Sequence, residues 1–314
     1  MSCPSLAAHG IVARLVMLAQ PFHAQPSMPT TAEPRVPSPE SRKIAFIGGG
    51  NMARSLIGAQ LARGISPTAI AIAEPRAEAR EALSREFGVP TFSDNTQAIV
   101  GADCVVLAVK PQVMHAVCAA LAGPLRGMNP LVVSIAAGVR IAQIEGLLGD
   151  RHAIVRCMPN TPALVGAGAA GLCANRNVDA EQRALAERLL DAAGIVRWVD
   201  DEAQMDTVTA LSGSGPAYFF LLVEAMEDAA VQLGLPRDTA RALAAQTCLG
   251  AGHMLADGNE TATELRKRVT SPHGTTAAAL DVFEQGGFRT LVERALDAAK
   301  RRGAEMSAEM DARP

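Results

Sequence analysis

Three clusters in this 314-residue chain have residue types and spacing that can do chemistry. The first is Ile47-Gly48-Gly49-Gly50-Asn51-Met52-Ala53, which fits G-x-G-x-x-G/A with Gly48, Gly50 and Ala53 in the key places. Glycine there permits a tight turn and a close approach of a pyrophosphate, and the helix that follows offers free N–H groups and the positive end of its dipole. Such a fingerprint means little alone, but here it follows an apolar strand and opens a helix, the context it needs. The second cluster is Ala73-Glu74-Pro75-Arg76, at the end of the next strand. An acid at that place accepts hydrogen bonds from an adenosine ribose and repels a 2′-phosphate, which favours NADH. Arg76 and Arg80 follow closely and can neutralise such a phosphate, which leaves NADPH open. The third is Thr270-Ser271-Pro272-His273-Gly274-Thr275-Thr276. Hydroxyls and N–H groups crowd a helix start there, which makes either a site for a small carboxylate or an ordinary N-cap by Ser271 or Thr275.

Three further segments end apolar runs: Ala108-Val109-Lys110-Pro111, Ser134 to Gly138, and Met158-Pro159-Asn160-Thr161-Pro162. In an open α/β sheet, ligands bind at the carboxyl ends of the strands. Small and polar residues at that edge suit a nicotinamide and a compact substrate, although Lys110 taken alone reads as a surface lysine. His115, His152, His253 and His273 are scattered and read as structural, and the sequence contains no H-E-x-x-H, Walker loop, G-x-S-x-G or metal-ligand cluster.

The elements that must position these clusters change character along the chain. From Lys43 to Cys157, short apolar runs (43–47, 69–73, 104–109, 131–136 and 153–157) alternate with helical spacing, as in 51–63 and 76–87. Continuous apolar strands between helices predict a parallel sheet covered on both faces. After Trp198-Val199-Asp200-Asp201 the pattern is helical only, over about 202–211, 216–234, 236–257, 260–269, 276–285 and 288–308. The segment from Pro216 to Leu235 is apolar except for a narrow stripe of Glu224, Glu227 and Asp228, so it predicts a helix buried on most sides and a chain that pairs with a second copy. Residues 1–41 hold seven prolines and no regular apolar period; they predict a disordered extension outside the fold.

Composition narrows the field. A net charge of −3 with no block of like charges gives no handle for nucleic acid or an anionic membrane. Only 3% of residues are aromatic, so the core must be built from Ala, Leu, Val and Ile. Six cysteines form no C-x-x-C pair and five sit in apolar runs, which predicts buried reduced thiols in a reducing, cytoplasmic compartment.

Six segments together resemble the Δ1-pyrroline-5-carboxylate reductase family: 44–53 (Ile-Ala-Phe-Ile-Gly-Gly-Gly-Asn-Met-Ala), 108–112, 134–139, 156–163, 211–218 (Leu-Ser-Gly-Ser-Gly-Pro-Ala-Tyr) and 269–276 (Val-Thr-Ser-Pro-His-Gly-Thr-Thr). The last, followed by Ala279-Leu280 and Phe283-Glu284, is the most specific. The resemblance runs in order over about 43–308. It implies an α/β Rossmann domain with a doubly wound parallel sheet over 42–201. It also implies an all-helical substrate-binding and dimerisation domain over 202–314, with dimers often assembling into rings. The implied reaction is reduction of 1-pyrroline-5-carboxylate to L-proline with NADPH or NADH. The implied cofactor contacts are Gly48, Gly49, Gly50, Asn51, Met52, Ala53, Glu74, Ala108, Val109, Lys110, Pro111 and Asn160. Ser271, Gly274 and Thr275 match the residues that hold the substrate carboxylate, and Thr276 the threonine at the ring nitrogen. His273 stands where many members carry Gly. Two other functions fit parts of the chain: a β-hydroxyacid dehydrogenase, which needs a helical Lys-x-x-x-Asn not found here, and a nucleotide-sensing module, which has no need of the 269–276 site.

Overall fold

Eight strands form one sheet in the order β3-β2-β1-β4-β5-β6-β7-β8. They are β1 (Ile44–Ile47), β2 (Ile70–Ala73), β3 (Thr91–Phe92), β4 (Cys104–Leu107), β5 (Leu131–Ser134), β6 (Ile154–Met158), β7 (Gly168–Ala174) and β8 (Gly194–Trp198). This computed structural model describes residues 42–311, so the extension expected over 1–41 lies outside the described residues. Every residue of β1, β4 and β5 is buried, because helices cover both faces of the sheet. Side chains alternate between two cores: Phe46, Val106, Val133 and Val155 pack with Leu56 and Ile57 on one face. Ala45, Ile47, Leu107 and Val132 pack with Met114, Leu121 and Ile144 on the other. The covering helices are α1 (Asn51–Ala62), α2 (Ala77–Phe87), the single turn α3 (Asn95–Ala98), α4 (Pro111–Leu125), α5 (Ile141–Leu148) and α6 (Ala180–Leu190).

The five apolar runs of the sequence are β1, β2, β4, β5 and β6. The other three strands carry no such run, and the sheet departs from the all-parallel expectation at one junction, where β7 pairs antiparallel with β6. Strand β7 is Gly-Ala-Ala-Gly-Leu-Cys-Ala, too small in side chain to read as a strand, because neighbours press close to it. A Cβ on Gly171 would lie 2.5 Å from the Val208 side chain, and one on Gly194 would lie 2.0 Å from the Gly168 oxygen across the β7–β8 pair.

From Glu202 onward the structure is helical: α7 (Met205–Val208) runs through a π turn at Thr209–Gly213 into α8 (Gly215–Gln232). Then come α9 (Arg237–Ala256), α10 (Ala262–Arg268), α11 (Thr275–Gln285) and α12 (Phe288–Asp311). Pro216 stands in the first turn of α8, where a missing N–H costs nothing, and Thr261 and Glu264 close a reciprocal cap on α10. Only Gly215 of α8 is buried in the single chain, and no residue of α11 is. Phe219, Phe220, Leu221, Val282 and Leu291 are all exposed.

Side-chain contacts fasten the helical half to the α/β half. Arg156, buried in β6, reaches Glu202 at 3.1 Å and Asp206 at 3.5 Å, and Glu202 also accepts the first N–H of α5 from Ile141. The end of α12 returns to α5, where the Gln143 amide donates to the Ser307 carbonyl at 3.1 Å.

Candidate functional site

The glycine turn between β1 and α1 is shaped by two close approaches. Gly48 has φ +101°, and a Cβ there would stand 2.6 Å from the Ala108 carbonyl oxygen. Backbone bonds from Gly48 N–H to Ala73 O and from Ala108 N–H to Ile47 O, both 2.8 Å, lock the turn between the ends of β2 and β4. A Cβ on Gly49 would lie 2.4 Å from Leu83 of α2, so the helix packs directly on the turn. At Gly50 a Cβ would meet nothing within 4 Å. Gly50 is also the N-cap of α1, with no side-chain cap and no acid in the first turn. Free helix N–H groups beneath open space are what a pyrophosphate needs, so the turn fits a dinucleotide.

Glu74 is buried beside this turn. Its Oε2 accepts the Gly49 N–H at 3.3 Å, and its Oε1 accepts the Arg76 N–H at 3.2 Å and the Arg76 Nε–H at 2.9 Å. Burial alone would raise the Glu74 pKa, but the bonds from the Arg76 side chain, the Arg76 backbone and Gly49 outweigh it and hold the carboxyl below its usual range. Arg80 donates to the carbonyls of Glu74 and Pro75 at 2.9 and 2.7 Å, closing the end of β2. Lys110 is the exposed N-cap of α4 and Pro111 follows in its first turn, beyond the carboxyl end of β4.

Asn160 lies past the end of β6, and both ends of its amide are engaged inside the protein. Nδ2 donates to the Ser212 carbonyl at 3.0 Å, and Oδ1 accepts the Ala169 N–H at 2.9 Å. The side chain thus braces β7 against the π turn. The sequence pattern did not single out the Arg156–Glu202–Asp206 knot. A signal was there: an arginine inside an apolar strand must find a buried partner.

The 269–276 segment links α10 to α11. Gly274 is the N-cap of α11 and no side chain caps the helix, so the N-cap by Ser271 or Thr275 that the sequence left open does not form. Ser271 stacks against Gly274: a Cβ there would sit 2.6 Å from the Ser271 Oγ, which explains the glycine. His273 has φ +59°, a left-handed conformation that glycine adopts without cost and an L-residue adopts with strain. Thr276 is half-buried in the first turn. Among the described residues, the hydrogen bonds of this segment are local: Val269 to Leu265, Thr270 to Arg266 and Lys267, Gly274 to Ser271, and Ala278 to Gly274. The structure therefore brings Gly48–Ala53, Glu74 and Ala108–Pro111 together at one sheet edge, and holds Ser271–Thr276 on a separate helical element.

A glycine turn over an uncapped helix at the carboxyl edge of a mainly parallel sheet, joined to a helical region with apolar faces, defines a dinucleotide-dependent oxidoreductase with a helical association domain. Residues 202–306 match the family described as pyrroline-5-carboxylate reductase dimerisation, and residues 43–138 match the family described as NADP oxidoreductase coenzyme F420-dependent. The pyrroline-5-carboxylate reductase of Pseudomonas aeruginosa is 53% identical over 268 residues, covering 85% of this chain and 98% of that one. The enzyme of that name from Haemophilus influenzae is 44% identical over the same shares. A solved pyrroline-5-carboxylate reductase from Coxiella burnetii superposes with a TM-score of 0.82 at 46% identity, covering 85% of this chain and 99% of that one. The pyrroline carboxylate reductase of Plasmodium falciparum, solved with NADP bound, gives 0.75 at 31% identity with the same coverage. The chain belongs to the pyrroline-5-carboxylate reductase family.

Proposed function

We infer that this chain reduces the C=N bond of 1-pyrroline-5-carboxylate to give L-proline, using NAD(P)H. The observation that carries this reading beyond family membership is the uncapped start of α11. It presents free N–H groups and hydroxyls, but no strong acid, to a small anion. A protonated cyclic imine is already electrophilic, so it needs position more than proton transfer. Bound NAD(P)H supplies the hydride. Ser271 and the N–H group of Thr275 clamp the carboxylate, the Gly274 N–H being held by the Ser271 carbonyl, while Thr276 steadies the ring nitrogen as it changes from imine to amine.

The division of labour follows the fold. Residues 42–201 hold the dinucleotide through Gly48–Ala53, Glu74 and Ala108–Pro111, and Asn160 acts as a brace behind them. Residues 202–314 hold the substrate and pair with a second copy in a homodimer, the unit from which a ring of dimers can be built. Because the 269–276 segment bonds only locally and lies on helices with uncovered apolar faces, pairing completes the site. Four buried cysteines without disulfide partners, Cys104, Cys118, Cys157 and Cys173, suit a reducing cytoplasm. The test is turnover of 1-pyrroline-5-carboxylate with either nucleotide. L-proline formed in step with nucleotide oxidation is the expected result; a preparation that binds NAD(P)H but makes no L-proline overturns the reading.

A further inference from the structure

Arg156, Met158 and Asn160 alternate along β6 and just past its end, so they share one face of the sheet. All three meet the same stretch of chain. Arg156 bonds Glu202 and Asp206 where the helical half begins. The Met158 methyl lies 2.5 Å from where a Cβ on Gly213 would stand. Asn160 donates to the Ser212 carbonyl at 3.0 Å. That last bond is one the sequence makes necessary. In a helix the Ser212 carbonyl would accept the N–H four residues on, but that residue is Pro216, which has none. The Ala217 N–H donates to the Ser214 carbonyl instead, at 3.0 Å. The Asn160 amide therefore stands in for a backbone donor, and its Oδ1 is fixed in turn by the Ala169 N–H of β7 at 2.9 Å. The turn it holds, Thr209–Gly213, is a π turn closed by the Ser214 N–H on the Thr209 carbonyl at 2.8 Å. Helices seldom adopt that form, and proteins keep it mostly at functional sites. Here it is held at the carboxyl end of β6, the edge of the sheet where a ligand binds.

We propose that Asn160 is a positioning residue for the reduction. By holding the Ser212 carbonyl it fixes the turn through which the nucleotide's edge of the sheet leads into the helices that hold the imine. It thereby sets the distance from hydride to ring carbon. The proposal rests on the reductase reading above. It gives the Asn160 side chain no contact with the nucleotide, because both ends of the amide are engaged within the protein. Loss of the bond to Ser212 is felt in kcat, since a reacting pair tolerates little misplacement.

Asn160→Asp tests it on the full chain, with kcat, KM and the Kd for NAD(P)H measured from about pH 6 to about pH 8.5. The introduced carboxyl still accepts the Ala169 N–H, but it donates to the Ser212 carbonyl only when protonated. At the alkaline end kcat is expected to fall at least about tenfold against the parent chain, with the nucleotide Kd within about threefold. The variant-to-parent kcat ratio is expected to rise at least about threefold toward the acid end, because protonation restores the donor. Asn160→Ala, which removes both bonds and adds no charge, is expected to lose as much kcat at every pH, and it decides the matter if Asn160→Asp does not fold. A kcat within about twofold of the parent in either variant, an Asn160→Asp ratio that does not change with pH, or a loss confined to nucleotide affinity each overturns the proposal. A parent chain that binds nucleotide and forms no L-proline overturns the reductase reading itself, and the proposal with it, a result distinct from the other three.

Discussion

The two halves of the described chain solve the burial problem in opposite ways. The α/β half has two cores of its own, one on each face of the sheet, with Phe46, Ile72, Leu107 and Leu121 sealed from water. The helical half has almost none: α8 leaves Phe220 68% and Leu221 65% exposed, and Val282 of α11 is 71% exposed. Fully burying a side chain of that size stabilises by about 1.5–3 kcal/mol, so a row of them left in water is a large deficit. A second copy of the chain is the cover proposed for that surface, in keeping with the match to a dimerisation domain. The α/β half is thus a self-sufficient scaffold, whereas the helical half leaves its apolar faces to be covered by association.

That contrast can be broken from either side. The largest effect is expected from placing charge on the uncovered face. Phe220→Asp combined with Leu221→Asp removes about 3–6 kcal/mol of apolar burial per chain and should leave a monomer at micromolar concentration by sedimentation. Its reductase activity should vanish while NAD(P)H affinity stays within about tenfold, because the α/β half keeps its cores. An unchanged oligomer would remove the contrast altogether.

Gly50→Val attacks the other half alone. A Cβ at Gly50 meets no protein atom within 4 Å, so the variant should fold with an unaltered melting temperature and oligomeric state. Its side chain fills the space above the α1 N-terminus, and the Kd for NAD(P)H should rise about 100-fold, near 2.7 kcal/mol. Unchanged affinity in the folded variant would take the pyrophosphate away from this turn.

Thr276→Ala should lower kcat about tenfold, equivalent to about 1.4 kcal/mol of transition-state stabilisation, with little change in nucleotide affinity. Ser271→Ala should raise KM for the imine instead, since a carboxylate contact is alike in the ground and transition states. Steady-state kinetics on both variants separates the roles, and a Thr276→Ala effect confined to KM would make that residue a binding contact. The smallest effect belongs to His273. Glycine at φ +59° should hold stability within about 1 kcal/mol and keep activity, whereas valine there should cost more than about 1 kcal/mol in chemical denaturation. Equal stabilities for the two would mean that the loop relaxes out of the left-handed region.

Much of this was legible in the residues, for physical reasons that also explain the gaps. Strands β1, β4 and β5 are buried on both faces, so hydrophobicity alone reveals them. Strand β7 was hidden because close packing against Val208 and β8 selects glycine and alanine over the branched residues that mark a strand. The glycine turn was readable because Gly48 must take a positive φ beside Ala108. The direction of the Glu74 carboxylate was not readable, since the same residue type serves a ribose or a backbone N–H, and only the fold decides. Asn160 was placed at the correct edge of the sheet, yet its amide is engaged by Ser212 and Ala169, partners far enough along the chain that no local pattern shows them.

If pairing completes the site by setting one chain's glycine turn against its partner's 269–276 segment, complementation will reveal it. Gly50→Val and Thr276→Ala chains, co-expressed in equal amounts, form hybrid dimers in which one of the two sites has both an intact turn and an intact 269–276 segment. Recovery of about a quarter of wild-type activity is expected in the mixed population, well above the average of the two separate variants. Activity no greater than that average would show that each chain builds its site alone, and would overturn a site shared between the two chains.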